Sequence, residues 1–98
     1  MEKHRPHCKL QRVRSLIEAG RVTITFSALT GAGRMGLDEA GLLAVVMALA
    51  PHDFYKSMTT YADHTIWQDV YRPVTPYGSI YLKLTVMDEV LIVSFKER

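Results

Sequence analysis

The spacing of apolar residues changes twice along this chain, and each change marks a switch in the kind of element the backbone can form. From Lys9, the positions Leu10, Val13, Leu16 and Ile17 recur at helical spacing, and Gly20 follows where a left-handed C-terminal residue is usually placed. A first helix is expected there, with Arg12 and Arg14 on opposite flanks of its apolar stripe rather than in one phosphate-facing row. Val22, Ile24 and Phe26 then alternate as a short strand. Asp38 is a good N-cap for the run Ala40 to Ala50, which Pro51 must end. Its length and its Ala, Leu and Met content favour helix over strand, and being apolar all round it is expected to be buried. Asp53 then begins a short turn that delivers Lys56.

The last third has a period of two. Ile80, Leu82, Leu84 and Val86 alternate with Ser79, Tyr81, Lys83 and Thr85, and after Asp88-Glu89 the positions Leu91, Val93 and Phe95 alternate with Ile92, Ser94 and Lys96. This is a β-hairpin with one apolar face. A two-residue loop at Asp88 and Glu89 would set Tyr81 opposite Lys96, Lys83 opposite Ser94, Leu82 opposite Phe95 and Leu84 opposite Val93. Thr65 to Arg72 reads as a third strand, joined through a Pro73 to Gly78 loop whose prolines and glycine forbid a continuous ladder. Helices first and antiparallel strands afterwards predict an α+β domain, its sheet packed against the N-terminal and central helices.

Composition narrows the class. With 98 residues and 48% apolar content, one core and a single domain spanning residues 1–98 are expected. The charged N-terminus does not resemble a signal peptide, and Ala40 to Ala50 falls far short of the roughly 20 apolar residues a membrane span needs, so a soluble protein with no membrane partner is expected. The single cysteine, Cys8, excludes an internal disulfide. The net charge of +2 is unevenly spread: residues 1–34 carry seven Lys or Arg against two acids, whereas residues 35–55 carry three acids and no Lys or Arg. That asymmetry permits a polyanionic partner and is equally the mark of a solvated helix.

Two motif readings fail on physical grounds. Gly31-Ala32-Gly33-Arg34-Met35-Gly36 spells a dinucleotide fingerprint, but such a fingerprint must open a helix directly after a strand of a parallel sheet, and here a flexible glycine-rich connection is the better account. His4, His7 and Cys8 lie close together, yet structural zinc needs four ligands at recognisable spacing and no second cluster follows. Neither a metal nor a cofactor is therefore expected.

The segment from Phe54 to Pro73 packs aromatics, cations and hydrogen-bonding groups more densely than a core needs. Taken singly, Lys56, Gln68, Arg72, Tyr81 and Lys96 each have an ordinary explanation as polar side chains on a sheet face. The hairpin pattern does gather Tyr81, Lys83 and Lys96 on the face away from the core, and it puts Trp67 on the face opposite Gln68, where it packs. Tyr55, Tyr71 and Tyr77 could stack on bases. Together with Tyr81-Leu82-Lys83 and Val90 to Lys96, this segment closely resembles the motility quorum-sensing regulator (MqsR) toxins, RelE-like mRNA interferases of bacterial toxin–antitoxin systems.

The resemblance implies a RelE-like ribonuclease fold and a bacterial cytoplasmic toxin that cleaves mRNA without a metal, inhibits translation and arrests growth. It assigns the active surface to Lys56, Gln68 and Tyr81, with Arg72 and Lys96 in matching segments as RNA-binding residues. The RNA's own 2′-hydroxyl attacks the adjacent phosphate, leaving a cyclic phosphate and a 5′-hydroxyl, so the protein must align that attack, stabilise charge on the phosphate and manage two protons. Free lysine and tyrosine both titrate near 10. Lys56 with Arg72 is expected to stabilise the phosphorane, Tyr81 to take part in proton transfer and Gln68 to orient the substrate, while a Lys56 whose pKa is lowered by nearby cations is the alternative base. A cognate, zinc-containing MqsA-like antitoxin is implied as partner, meeting an exposed sheet edge, with DNA contacted only through that complex. Competing readings are a non-catalytic RNA-binding or ribosome-associated module, and a protein-interaction domain whose charge serves solubility.

Overall fold

A computed structural model describes all residues, 1–98. In chain order the elements are β1 (Glu2–Lys3), α1 (Leu10–Glu18), β2 (Val22–Ile24), α2 (Phe26–Arg34), α3 (Glu39–Met47), a single 3₁₀ turn (Pro51–Asp53), β3 (Phe54–Thr59), β4 (Trp67–Tyr71), β5 (Val74–Thr75), β6 (Gly78–Val86) and β7 (Val90–Glu97). The strands form one sheet in the order β1-β3-β4-β6-β7-β2, with β5 attached to β6. Every pairing is antiparallel except that of β2 with β7, so the α+β architecture stands with a single parallel pair at one edge.

The three helices cover one face of this sheet. Leu10, Val13 and Leu16 of α1 and Leu42, Val45 and Val46 of α3 share a core with Ile80, Leu82, Leu84, Ile92 and Phe95 of the sheet. The caps form as the sequence suggests: Asp38 Oδ1 accepts from Gly41 N at 2.8 Å. Burial of α3 is narrower than its composition implies, because Ala40, Ala44 and Ala48 are exposed along one stripe. Alanine adds too little apolar area to force a fourth side of a helix into a core.

The glycine-rich segment is not a connection. Phe26, expected to end a strand, opens α2 after the Thr25 cap, whose hydroxyl accepts from Ala28 N at 3.1 Å, and Gly31 and Gly33 lie inside that helix. Two glycines at about 1 kcal/mol each argue against a helix on propensity alone. Packing overrides them: a β-carbon on Gly31 would stand 1.7 Å from the Phe95 carbonyl oxygen, so α2 can lie on β7 only because no side chain intervenes. The fingerprint thus runs through the last turn of a helix and out of its end rather than opening one, which removes the dinucleotide reading a second time.

Beyond Asp53 the expected turn gives way to a strand, β3, which carries Lys56. Asp53 Oδ2 accepts from Ala50 N at 2.8 Å and its carbonyl accepts from Arg72 N at 2.7 Å, tying the 3₁₀ turn to the end of β4. The hairpin β6–β7 keeps three of the four expected pairs, Tyr81 with Lys96, Lys83 with Ser94 and Leu82 with Phe95. Leu84 instead meets Ile92, and Val86 meets Val90, so the loop is Met87-Asp88-Glu89 and Val93 is an extra residue in a bulge. The longer loop and the bulge cancel, leaving the far half of the hairpin in its expected register. Between them the apolar face is inverted: Val90 and Ile92 are buried, not Leu91 and Val93.

Candidate functional site

The sheet face turned away from the helices is built row by row from the strand register. Lys56 pairs with Val70, Val70 with Lys83, and Lys83 with Ser94, giving one row across β3, β4, β6 and β7. Paired residues share a face and neighbours two apart along a strand share it too. Met58 and Gln68, with Glu2 beside Met58, therefore form a row on one side of it. Arg72, Tyr81 and Lys96 form the row on the other side, where Tyr81 pairs directly with Lys96. All five residues singled out by the sequence stand on this one surface.

They are not equally close. The exposed Tyr55 ring gathers two cations, with the Arg72 guanidinium 4.1 Å and Lys56 Nζ 5.4 Å from its centre. Lys96 Nζ lies 5.2 Å from the centre of the Tyr81 ring. Aromatic faces attract cations electrostatically, so these contacts hold the charges in place without neutralising them. Gln68 is set apart: at about 3.3 Å per residue and 4.8 Å per strand, its α-carbon is about 14 Å from that of Tyr81. Val70, in the middle of the face, is fully buried within the row it shares with Lys56 and Lys83.

Glu2 is the group that sequence reasoning missed. Strand β1 lies along β3 through the pairs Glu2 with Met58 and Lys3 with Ser57, and this brings the Glu2 carboxylate 3.1 Å from Lys56 Nζ. The ion pair and its hydrogen bond raise the Lys56 pKa above its ordinary value, despite opposing desolvation. In the free protein the fold thus moves the Lys56 pKa away from, not toward, the range in which a lysine acts as a base. No local signal could have found Glu2, whose role depends on which strand accepts the N-terminus.

That N-terminal segment is anchored from the other face. The Asp69 carboxylate, buried, accepts from His7 N at 2.9 Å and Cys8 N at 3.0 Å. Trp67, opposite Gln68 as expected, is stacked by His7 at 5.6 Å between ring centres and covered by Lys3 Nζ at 4.0 Å, so it packs. Part of the basic N-terminal third is likewise spent on structure. Arg12, Arg14 and Arg21 donate to the carbonyls of Met87, Leu49 and Asp88. The outer sheet face and its margin keep Lys83, Lys96 and Arg34 without an ion pair or a hydrogen bond to the protein.

Tyr71, considered above as a base-stacking candidate, is fully buried on the core side and is edge-on to Phe54 at 5.5 Å. Tyr55 and Tyr77 remain exposed.

Comparison with known proteins covers the chain from end to end. The family model described as "Motility quorum-sensing regulator, toxin of MqsA" matches residues 5–97. The curated protein "mRNA interferase toxin MqsR" of Escherichia coli (strain K12) is 57% identical over 98 residues, covering 100% of each chain. An identity of that extent leaves no part of the fold outside the match, and the chain therefore belongs to the motility quorum-sensing regulator toxin family.

Proposed function

We propose that this chain is the toxin of a type II toxin–antitoxin system, an endoribonuclease that cuts mRNA across its outer sheet face and thereby inhibits translation and arrests growth. Family membership supports the activity. The observation that carries the site assignment is the ammonium group of Lys56 held beside Arg72 around the Tyr55 ring, one row from Tyr81 and Lys96.

The chemistry follows from what these groups can do. The 2′-hydroxyl gives up its proton to water as its oxygen attacks the adjacent phosphorus, the bond from phosphorus to the 5′-oxygen breaks, and that oxygen takes up a proton, leaving a 2′,3′-cyclic phosphate and a 5′-hydroxyl. Lys56 and Arg72 offset the negative charge that grows on the phosphate oxygens, and preorganised cations act there without reorganisation during the reaction. Tyr81 takes part in the proton transfer that accompanies departure of the 5′-oxygen. Lys96 holds the RNA backbone beside it. Gln68, two rows from Tyr81, orients the RNA by hydrogen bonds. Glu2 occupies Lys56 in the free protein, and entering phosphate takes over its place.

The chain works as one domain in the bacterial cytoplasm, and no helix of it is long and apolar enough to cross a membrane. A cognate antitoxin carrying its own zinc neutralises it, by adding to an exposed edge of the sheet, and DNA is met only through that complex.

The test is cleavage of a long defined mRNA by the purified protein in excess EDTA, with new 5′ ends mapped. Discrete cuts are expected, lost in Tyr81→Ala and retained in Lys56→Arg, because arginine keeps the charge and cannot deprotonate. An intact transcript, both alone and with translating ribosomes added, would refute the ribonuclease reading and leave a non-catalytic RNA-binding module.

A further inference from the structure

We propose that the groove between α2 and the edge of β7 binds a nucleotide of single-stranded RNA flanking the one that is cut, with Phe26 as its stacking platform and Arg34 as a phosphate contact. This rests on the reading of the outer face as an RNA surface.

Strand β2 pairs only with Val90 to Ile92, so the remainder of β7 would present a bare edge. Helix α2 covers it, approaching so closely at Gly31 that only hydrogen fits against the Phe95 carbonyl. Two adjoining depressions result, of about 310 and 520 Å³, which share Gly31, Arg34 and Lys96. Lys96 is also the residue that stands over Tyr81, so the groove opens directly from the proposed site.

What lines it suits a nucleotide. Phe26, Thr30 and Arg34 are spaced by four and form one stripe of α2, about 12 Å long, facing Ser94 and Lys96 across the groove. Phe26 is 85% exposed, the most open phenylalanine in the chain, although a ring gains most from being covered. A lone exposed aromatic needs no explanation, but this one lies beside two cations at the margin of a cationic surface. Arg34 and Lys96 form no ion pair and donate no hydrogen bond within the protein, whereas Arg12, Arg14 and Arg21 are all bound to carbonyls. An aromatic face for the base and uncommitted cations for the backbone are the two parts of a single-strand site that tolerates any base. Glu97 and Tyr77 close the far end, where a carboxylate suits the amino edge of a base and repels phosphate.

The test compares two RNAs with the same cut site, one spanning only that site and one extended at either end. Phe26→Ala and Arg34→Ala are each expected to raise KM for one extended RNA, relative to KM for the short one, by about tenfold, since stacking on an aromatic is worth that order. Phe26→Trp should restore it, and thermal melting controls for folding. Equal effects on both RNAs, or no effect on either, overturn the subsite. If the wild type cuts neither RNA, fluorescence anisotropy with the extended RNA decides separately: weaker binding by Phe26→Ala keeps the groove while the ribonuclease reading fails, and unchanged binding removes both.

Discussion

Two glycines of α2, two residues apart, should respond oppositely to the same substitution. A β-carbon at Gly31 would meet the Phe95 carbonyl oxygen at 1.7 Å and the carbonyl carbon at 2.9 Å, whereas one at Gly33 would meet nothing within 4 Å. The closest ordinary carbon to oxygen contact is about 3.3 Å, so Gly31→Ala demands that α2 and β7 separate by roughly 1.6 Å, the difference from the 1.7 Å above. The obstacle is backbone in a paired strand, not the end of a flexible side chain. Overpacking of this kind costs about 3 kcal/mol, and the helix propensity of alanine returns only about 1 kcal/mol. A net loss of about 2 kcal/mol corresponds to a drop of roughly 10 °C in Tm for a domain of this size. Gly33→Ala keeps only the propensity gain, up to about 1 kcal/mol, and should melt a few degrees higher. Thermal unfolding followed by circular dichroism measures both. If Gly31→Ala proves as stable as Gly33→Ala, the close approach of α2 to β7 is wrong, and with it the walls of the proposed groove.

Removing the Glu2 carboxylate tests whether it competes with phosphate for Lys56. Glu2→Gln should tighten binding of a short RNA by a Tyr81→Phe variant, by less than about tenfold since the pair is exposed, and weaker binding would show that Glu2 helps to hold the substrate. Asp69→Ala removes the buried carboxylate that accepts from the His7 and Cys8 amides and should lower the unfolding free energy by about 1–3 kcal/mol in urea titration, while also loosening the strand that carries Glu2. The Tyr71 hydroxyl is buried with no partner among the protein's groups, and burial pushes its pKa well above the tyrosine range. The native state therefore retains that proton where the unfolded chain releases it, so stability is fully present below about pH 10 and declines as pH rises beyond it. Tyr71→Phe should abolish that part of the alkaline loss without lowering stability at pH 7, and an unchanged alkaline slope would refute the assignment.

The elements read correctly from the sequence are those whose causes are local. The 3.6-residue period of α1 and the Asp38 cap before α3 act within a few residues, and so does the alternation that sets Tyr81, Lys83 and Lys96 on the outer face. The single cysteine by itself excluded an internal disulfide. The misread elements are those decided by a distant partner. Helix α2 forms despite Gly31 because β7 needs a flat surface against it, and the bulge at Val93 exists because Ile92, not Val93, must reach the core. The ion pair of Lys56 was likewise out of reach of the sequence, since its partner is a carboxylate at the far end of the chain that arrives only after β1 has paired with β3. Side-chain periodicity is encoded in neighbours and survives without a fold. Close approach, register and electrostatic pairing are set by distances between segments far apart in sequence, and those distances exist only once the chain has folded.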